Sequence, residues 1–397
     1  MRKLLCISFA VLQFILIFRP APAQNVTPVH NEDGTYGFKV GNMYLEIDPD
    51  YGGRITSMKL DSQEIMYVNK SGDYWGGSFW LSPQSEFWPP SQVLDAQPYS
   101  GGIIGNSVSI LSGLDSGYDP PLMYRKTFSA NLADTSISIT FSIINKGSAS
   151  HKYSAWQLTR VPTGGMAFFP IGMGDPTGGL ALYVQVMNNV VWYKYTSSDA
   201  PGNKYYVDGS QGWDAWVSDS NVLFVREFKD VPGDMQAPGE AEAELWLNGP
   251  SSYIELEIQS EYANIDPGDS LVWNMKWYLR KLPGDVLNDI GSNSLISYTK
   301  SLLEGTAAIH NTENSGSNSF TLSPNPCIDL LSVHVSPVSD RTLKLFIYNL
   351  QGTLIFEHAI LSEEARFHLG SLPSGIYIYK IAGRQNIYRT GKLIVDR

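Results

Sequence analysis

Residues 253–258 read Tyr-Ile-Glu-Leu-Glu-Ile, a run in which polar and apolar side chains alternate with a period of two. This spacing predicts a β-strand, because successive side chains of a strand point to opposite faces of a sheet. The same alternation recurs at residues 44–47 and 136–143, between turn signals of Gly, Asn, Asp and Pro. Only residues 285–303 have a weakly helical pattern, which indicates a capping helix or an ordered linker. The sequence therefore predicts an all-β protein.

The start of the chain has the pattern of a secretory signal peptide. Arg2 and Lys3 precede an apolar run at residues 4–18, and Ala-Pro-Ala at residues 21–23 is typical of a cleavage site. We assign residues 1–24 to this peptide and expect an exported protein. Its apolar run is short, and no later segment reaches the ~20 apolar residues of a membrane span, so we predict no transmembrane segment.

Charge and cysteine content narrow the choice of partners. Without the predicted signal peptide, 25 basic and 39 acidic residues remain, a net charge of about −14. Such a chain repels phosphate backbones, so we predict no nucleic-acid partner. Cys327 is the one cysteine outside the signal peptide, which excludes an internal disulfide and indicates a small buried side chain.

A polar segment divides the rest of the chain. Residues 310–319 read HNTENSGSNS and contain no large apolar side chain, which is typical of a flexible connector. We therefore predict a large domain at residues 25–308, a linker at 309–319 and a small domain at 320–397.

Several ordered motifs mark the small domain. They are SPNP at residues 323–326, YNLQG at 348–352, LPSGIYIYK at 372–380 and TGKLIV at 390–395. In this order they resemble the C-terminal sorting domain of type IX secretion cargo in Bacteroidetes. The resemblance implies a small immunoglobulin-like β-sandwich, binding of residues 320–397 to the type IX secretion machinery, and a secreted or cell-surface protein. A generic immunoglobulin-like module for carbohydrate binding or spacing is the alternative.

The two ends of the large domain carry a second resemblance. Residues 52–65 read GGRITSMKLDSQEI, while LEIQ at 256–259 is followed by DPGDS at 266–270 and a Trp-rich strand at 273–280. In this order they resemble the opening and closing hairpins of the galactose mutarotase-like superfamily, which includes aldose epimerases, glycoside hydrolases and polysaccharide lyases. The resemblance implies a large β-supersandwich of a secreted branch, with a carbohydrate ligand.

In aldose epimerases the closing motif holds a glutamate that acts as general base on the anomeric hydroxyl, and the matching residue here is Glu257. Strand alternation places Glu255 on the same face, so the two carboxylates would share one environment and repel each other. Such repulsion could raise one pKa toward the working pH. The alternative is a polar strand face that is simply exposed to solvent.

The acid partner departs from the epimerase pattern. Where those enzymes place a histidine, the stretch around residues 145–160 offers Trp156 or Gln157, and His151 lies several residues earlier. We keep His151 as the candidate acid beside the two glutamates. Outside the small domain the chain has only His30, His151 and His310. This scarcity disfavours a zinc site and, with no cofactor motif, we predict neither metal nor cofactor, while a carboxylate calcium site stays open.

An aromatic and proline-rich segment, residues 80–90 (WLSPQSEFWPP), is the strongest candidate for binding a sugar. Prolines would fix an extended loop in which aromatic rings stack on a sugar face beside polar groups. Such loops also plug the ends of sandwiches without binding anything. Arg160 could clamp a uronic carboxylate, or equally a structural one. The candidate substrate-binding residues are Trp80, Gln84, Glu86, Trp88, Trp156, Gln157 and Arg160.

The sequence leaves three functions open. A carbohydrate-active enzyme, whether epimerase, hydrolase or lyase, would use Glu257 as base. A secreted glycan-binding protein would have lost the acid histidine of the fold. A surface adhesin or structural protein would fit the C-terminal domain but would leave the closing glutamates without a role.

Overall fold

The structure, a computed structural model, describes residues 25–250, 252–303, 319–336, 343–349, 353–370, 372–383 and 387–396. The predicted signal peptide at residues 1–24 lies outside these ranges. The predicted linker at 309–319 also lies outside them, apart from Ser319, which begins a strand. Residues 25–303 and residues 319–396 have separate apolar cores.

The described part of residues 25–303 is built mainly from short strands. In chain order they are β1 (Asn25–Val26), β2 (Val29–His30), β3 (Tyr36–Val40), β4 (Met43–Asp48), β5 (Arg54–Leu60), β6 (Gln63–Glu64), β7 (Gly77–Ser82), β8 (Ser100–Ile104), β9 (Ser107–Leu111), β10 (Leu122–Asn131), β11 (Ser136–Asn145), β12 (His151–Pro162), β13 (Met166–Pro170), β14 (Thr177–Gly178), β15 (Val184–Met187), β16 (Val190–Lys194), β17 (Asn203–Val207), β18 (Trp213–Val217), β19 (Val222–Phe228), β20 (Ala243–Leu247), β21 (Tyr253–Gln259), β22 (Ala263–Ile265) and β23 (Ser270–Lys281).

Helical segments are few and short in the same described residues. They are α1 (Gln84–Phe87), α2 (Gln92–Asp95) and α3 (Asn293–Leu303), with 3₁₀ turns at Gly179–Leu182 and Gly233–Met235. The prediction of an all-β protein is confirmed.

Two antiparallel sheets pack face to face. The front sheet has the order β14-β17-β20-β21-β12-β7-β5-β4-β3-β2, with β6 beside β5 and β22 beside β12. The back sheet has the order β15-β16-β13-β18-β19-β23-β11-β10-β9-β8, with β1 beside β10. Apolar side chains of both sheets meet between them, as where Phe79 of the front sheet lies 5.3 Å, centroid to centroid, from Phe141 of the back sheet. This burial supplies the main driving force for folding.

The outer face of the back sheet is partly covered by α3. Leu295, Ile296 and Tyr298 of α3 are buried in one cluster with Trp192 and Trp213 of the sheet. Its position agrees with the helical pattern that the sequence shows at residues 285–303. Helix α3 packs on the back sheet and therefore does not cover the outer face of the front sheet.

A tight turn connects β4 and β5 near the start of the domain. Gly52 and Gly53 have φ angles of +63° and +60°, and a Cβ atom on Gly52 would lie 1.9 Å from the carbonyl oxygen of Asp95. Residues with a side chain rarely adopt such angles, and the close approach leaves no space for one. The turn therefore requires glycine at residue 52.

The prediction of an extended loop at residues 80–90 is wrong. Trp80 belongs to β7, where it pairs with Trp156 of β12, and Gln84–Phe87 form α1. Strand β7 extends to Ser82 because its backbone forms hydrogen bonds with the backbone of β12. Pro83 then occupies the N-cap of α1, a place near the helix start where proline's missing N–H costs no intrahelical bond.

Residues 319–396 contain the remaining strands. They are β24 (Ser319–Ser323), β25 (Leu330–Ser336), β26 (Lys344–Tyr348), β27 (Leu354–Ala359), β28 (Glu364–His368), β29 (Gly375–Ala382) and β30 (Ile387–Val395). The described strands form a sheet of order β24-β25-β28 and a sheet of order β27-β26-β29-β30. Cys327 is 1% exposed within their shared apolar core, in agreement with the prediction of a small buried side chain.

Candidate functional site

A cavity of about 440 Å³ opens on the outer face of the front sheet. Strand β21 forms part of its floor, between β12 and β20. Most of its lining is aromatic, and four further side chains carry polar groups. The lining residues are Tyr74, Trp80, Gln84, Trp88, Trp156, Lys204, Tyr206, Trp246, Tyr253, Glu255 and Glu257.

One wall of the cavity is a set of indole rings. Trp80 meets Trp156 edge to face, with centroids 5.2 Å apart, and meets Trp88 at 5.9 Å. Trp88 also stacks on Tyr74 and is 49% exposed, whereas Trp80 is 2% exposed. The inner rings are therefore fixed by packing, and Trp88 presents a free ring surface at the rim.

Buried polar bonds hold the wall in place. The Nε1–H group of Trp80 donates to Asp95 Oδ1 at 2.7 Å, and Asp95 Oδ2 lies 3.0 Å from Arg54. At the start of α1, the backbone N–H of Gln84 donates to Glu240 Oε1 at 2.7 Å. Residues from β5, β7, α1 and α2 thereby fix the rim, although they lie far apart in sequence.

The floor is organised around Lys204. Its Nζ atom lies 2.5 Å from Glu244 Oε2 and 2.9 Å from Glu257 Oε2. Glu257 Oε2 also accepts a hydrogen bond of 2.9 Å from Trp156 Nε1, and the ammonium group lies 4.6 Å from the Trp156 ring centroid. Burial opposes the charge of Lys204, but the Glu257 and Glu244 carboxylates hold its pKa well above the ordinary value.

Glu255 forms a second ion pair beside the first. Its Oε1 atom accepts a hydrogen bond of 2.7 Å from Nε of Arg160, which is fully buried. Burial raises the pKa of Glu255 to about 7; Arg160 opposes this shift and Glu257 adds to it. Near neutral pH the Glu255 carboxyl can therefore hold or release a proton.

The structure brings most of the predicted site residues together. Glu255 and Glu257 lie on one face of β21, as alternation predicts, and they are 7% and 1% exposed rather than open to solvent. The side chains predicted from the sequence that line the cavity are Trp80, Gln84, Trp88, Trp156, Glu255 and Glu257.

Gln157 and Arg160 do not line the cavity. Gln157 points toward the back sheet, where its Oε1 atom accepts a hydrogen bond from Arg226, because it alternates with Trp156 along β12. Arg160 is on the cavity side but lies beneath Glu255, so its charge is engaged by a structural carboxylate. Of the two roles left open for Arg160, the geometry matches the structural one.

His151 and Glu86 also lie outside the lining and contact each other instead. His151 Nε2 lies 2.9 Å from Glu86 Oε2, and the side chains are 34% and 39% exposed. His151 is the first residue of β12, and its ring packs against Tyr153, which places it at the end of the strand away from Glu257. Neither side chain is placed to move a proton in the cavity.

Sequence reasoning missed Lys204, Tyr206, Trp246, Tyr74 and Tyr253. The alternation of β17 puts Lys204 and Tyr206 on one face, and Trp246 pairs with Glu255 across β20 and β21. Alternation shows which residues of one strand share a face, but the sequence does not state which strands are neighbours. Four of the five residues come together only when β17, β20 and β21 pair, whereas Tyr74 lies in the segment between β6 and β7.

No group of three or more His, Cys, Asp and Glu side chains is placed to hold a metal ion in the described part of the chain. Within the same ranges no helix is long and apolar enough to cross a membrane.

Several solved structures are similar to this chain. One is a galactose mutarotase-like protein from Lactobacillus casei ATCC 334, with 13% sequence identity and a TM-score of 0.47; the match covers 62% of this chain and 100% of that chain. Another is a galactose mutarotase-like protein from Clostridium acetobutylicum, with 11% sequence identity and a TM-score of 0.43; the match covers 65% of this chain and 98% of that chain. A galactose mutarotase related enzyme from Lactobacillus acidophilus has 11% identity, 64% and 99% coverage and a TM-score of 0.44. Among curated proteins, none is detectably similar in sequence.

The C-terminal module has a match in sequence. Residues 321–396 match the family described as secretion system C-terminal sorting domain. This match confirms the small domain that the four ordered motifs predict, and it implies an interaction with the type IX secretion machinery. The chain carries a secretion-system sorting domain and is an exported protein, either secreted or attached to the cell surface.

Proposed function

We propose that this protein is an exported glycan-binding protein and that the cavity on the front sheet holds a sugar residue. The observation that carries the proposal is the combination of seven aromatic side chains with Gln84, Lys204, Glu255 and Glu257 around one cavity of about 440 Å³. This volume is within the range of about 300–1,000 Å³ that small-molecule sites occupy.

The chemistry of the lining suits a sugar. A pyranose ring has an apolar face of C–H groups and an equator of hydroxyl groups. The Trp88 ring at the rim offers a flat apolar surface, while the carboxylates and the ammonium group of the floor can accept from and donate to hydroxyl groups. A ligand that is apolar throughout would bury the charged floor without satisfying it.

A role in sugar binding explains the contacts of the cavity floor better than a role in acid–base catalysis does. Glu257, the predicted base, accepts from Trp156 and lies in an ion pair with Lys204. Its Oε2 atom is thus already engaged by an indole N–H donor and an ammonium group, and a proton taken up there would displace those contacts. The carboxyl groups are arranged to hold hydroxyl groups in fixed directions, which is what a specific binding site requires.

Acid–base catalysis is the second candidate, and Glu255 favours it. Its pKa of about 7 would allow the carboxyl group to donate a proton near neutral pH, while Glu257 on the same strand face could take one. An epimerase, hydrolase or lyase on this scaffold would use the two glutamates as acid and base.

A glycan array followed by calorimetric titration of the retained sugars tests the proposal. The expected result is saturable binding of at least one glycan with no reducing-end or unsaturated product. Appearance of product, and its loss in Glu257→Gln, would establish the catalytic candidate instead. Absence of binding to any glycan on the array would remove the carbohydrate function in both forms.

A further inference from the structure

We propose that the cavity selects uncharged sugars over uronic or sulfated ones, and that Glu244, which lies behind the lining, sets this preference. The inference rests on the proposed glycan-binding function and names the chemical class of its ligand. It follows from how the two cations of the site are compensated.

In the part of the chain that the structure describes, Lys204 is the only cationic residue that lines the cavity. Its ammonium group contacts Glu257 at 2.9 Å and Glu244 at 2.5 Å. Two carboxylates thus surround one charge before any ligand enters. An anionic sugar that approached Lys204 would have to share the ammonium group with both of them, and like charges at such distances repel.

Arg160 is the second cation, and it is not available either. It lies beneath Glu255 at 0% exposure, with its Nε–H group donating to that carboxylate. Its guanidinium carbon also lies 5.4 Å from the Trp80 ring centroid and 5.6 Å from that of Tyr74. A ligand carboxylate could reach it only by displacing Glu255 or the ring of Tyr74 or Trp80.

Glu240 is a further carboxyl group close to the cavity. Glu240 accepts from the Gln84 backbone at 2.7 Å and contacts Gln259 Nε2, which in turn donates to Glu244 at 3.0 Å. With Glu240, four carboxyl groups stand against the two cations. These carboxyl groups leave no uncompensated cation at the floor, and without Glu244 the ammonium group of Lys204 would keep only Glu257 as a carboxylate partner.

Sugar pairs that differ only at C6 test the inference directly. Suitable probes are cello- and β-1,4-glucurono-oligosaccharides of equal length, and manno- and β-1,4-mannurono-oligosaccharides of equal length, placed on one array with other neutral and anionic glycans. At pH 7.5 we expect the glycans retained to be neutral, and the neutral member of a bound pair to bind at least about tenfold more tightly than its uronate. Equal or tighter binding of the uronate would overturn the inference and leave the proposed function standing.

A single substitution then tests the role of Glu244. Glu244→Gln leaves the lining unchanged but removes one of the two carboxyl groups on Lys204, so the preference for the neutral sugar should fall by about tenfold. The exposed Glu32→Gln carries the same chemical change at the far side of the front sheet and should leave the preference unaltered. An unaltered preference in folded Glu244→Gln would contradict the role given to Glu244.

Salt dependence keeps the inference testable if Glu244→Gln does not fold. Attraction between a charged ligand and a cation weakens as salt rises, whereas hydroxyl contacts and ring stacking do not. Binding by the unmodified protein should therefore change less than about twofold between about 0.05 and about 0.5 M NaCl. A fall of tenfold or more would show that an uncompensated charge attracts the sugar. If no glycan binds under any condition, the proposed function itself fails, which is a different outcome from binding of the wrong class.

Discussion

The ring of Trp88 stacks on the ring of Tyr74, with centroids 5.8 Å apart and planes inclined by 25°. Tyr74 supports one face of Trp88, and 49% of the Trp88 surface stays exposed at the cavity rim. An aromatic side chain that is supported on one face and open on the other is pre-organised to stack against a ligand.

Trp88→Ala should weaken sugar binding by about tenfold or more, because the ligand would lose its stacking surface. The free energy of unfolding should fall by less than about 1.5 kcal/mol, since half of the side chain is exposed. Calorimetric titration and chemical denaturation measure the two effects. Leu132→Ala is the matched control, because Leu132 is 43% exposed and lies on the back sheet's β10–β11 turn. Equal affinity of Trp88→Ala and Leu132→Ala would place the ligand elsewhere.

Glu255→Gln should change how stability depends on pH. The pKa of Glu255 is about 7 in the folded protein and 4.5 ordinarily, so the folded state favours the protonated form. Its contribution is fully present below about pH 4.5 and is lost as the pH rises through about 7. Relative to Glu255→Gln, the unmodified protein should lose up to about 3 kcal/mol between about pH 4.5 and pH 8. Urea denaturation of both proteins at several pH values measures the difference, and a constant difference would contradict the assignment.

Lys126→Met tests a buried basic group, for which stability should depend on pH in the opposite direction. The Lys126 ammonium group is buried and donates to the Gly52 carbonyl oxygen at 2.6 Å; burial lowers its pKa to about 7, although Asp95 opposes this shift. Between about pH 7 and pH 10 the unfolded chain holds the proton and the folded chain does not, so stability rises with pH. The unmodified protein should gain about 3 kcal/mol over Lys126→Met across this range, measured by denaturation at each pH. A flat difference would show that Lys126 keeps its proton in the folded protein.

His151→Ala should leave both sugar binding and any turnover unchanged within about twofold. The His151 ring pairs with Glu86 on the surface, and ion pairs between partly exposed groups contribute about 0–1 kcal/mol. Titration against the same glycan as for Trp88→Ala is the measurement. Loss of a measured turnover in His151→Ala would restore His151 as the acid that the sequence suggested.

Removal of residues 319–397 should abolish export while leaving sugar binding unchanged. The sorting domain lies within these residues, whereas the cavity is lined entirely by residues 74–257. Fractionation of cells measures export, and titration of the purified truncated protein measures binding. Truncated protein outside the cell would contradict the role of the sorting domain, and loss of binding would show that the large domain depends on it.

Much of this protein could be predicted from local sequence. The period of two at residues 253–258 predicts a strand and places Glu255 and Glu257 on one face, because Cβ atoms alternate along any extended chain. The order of four short motifs resembles that of a type IX sorting domain, and the family match over residues 321–396 confirms this interpretation. The glycines at residues 52 and 53 predict a tight turn, because φ angles of +63° and +60° suit no other residue as well.

Which further residues join the predicted ones around the cavity is decided by the tertiary structure. Alternation states which residues of a strand share a face, but it does not state which face is buried or which strand lies beside it. The pairing of β17 and β20 with β21 brings Lys204 and Trp246 to the two glutamates, while the same sheet turns Gln157 toward the back sheet and leaves His151 at the end of β12. These partners are separated by tens of residues, and only the register of antiparallel strands fixes which of them meet.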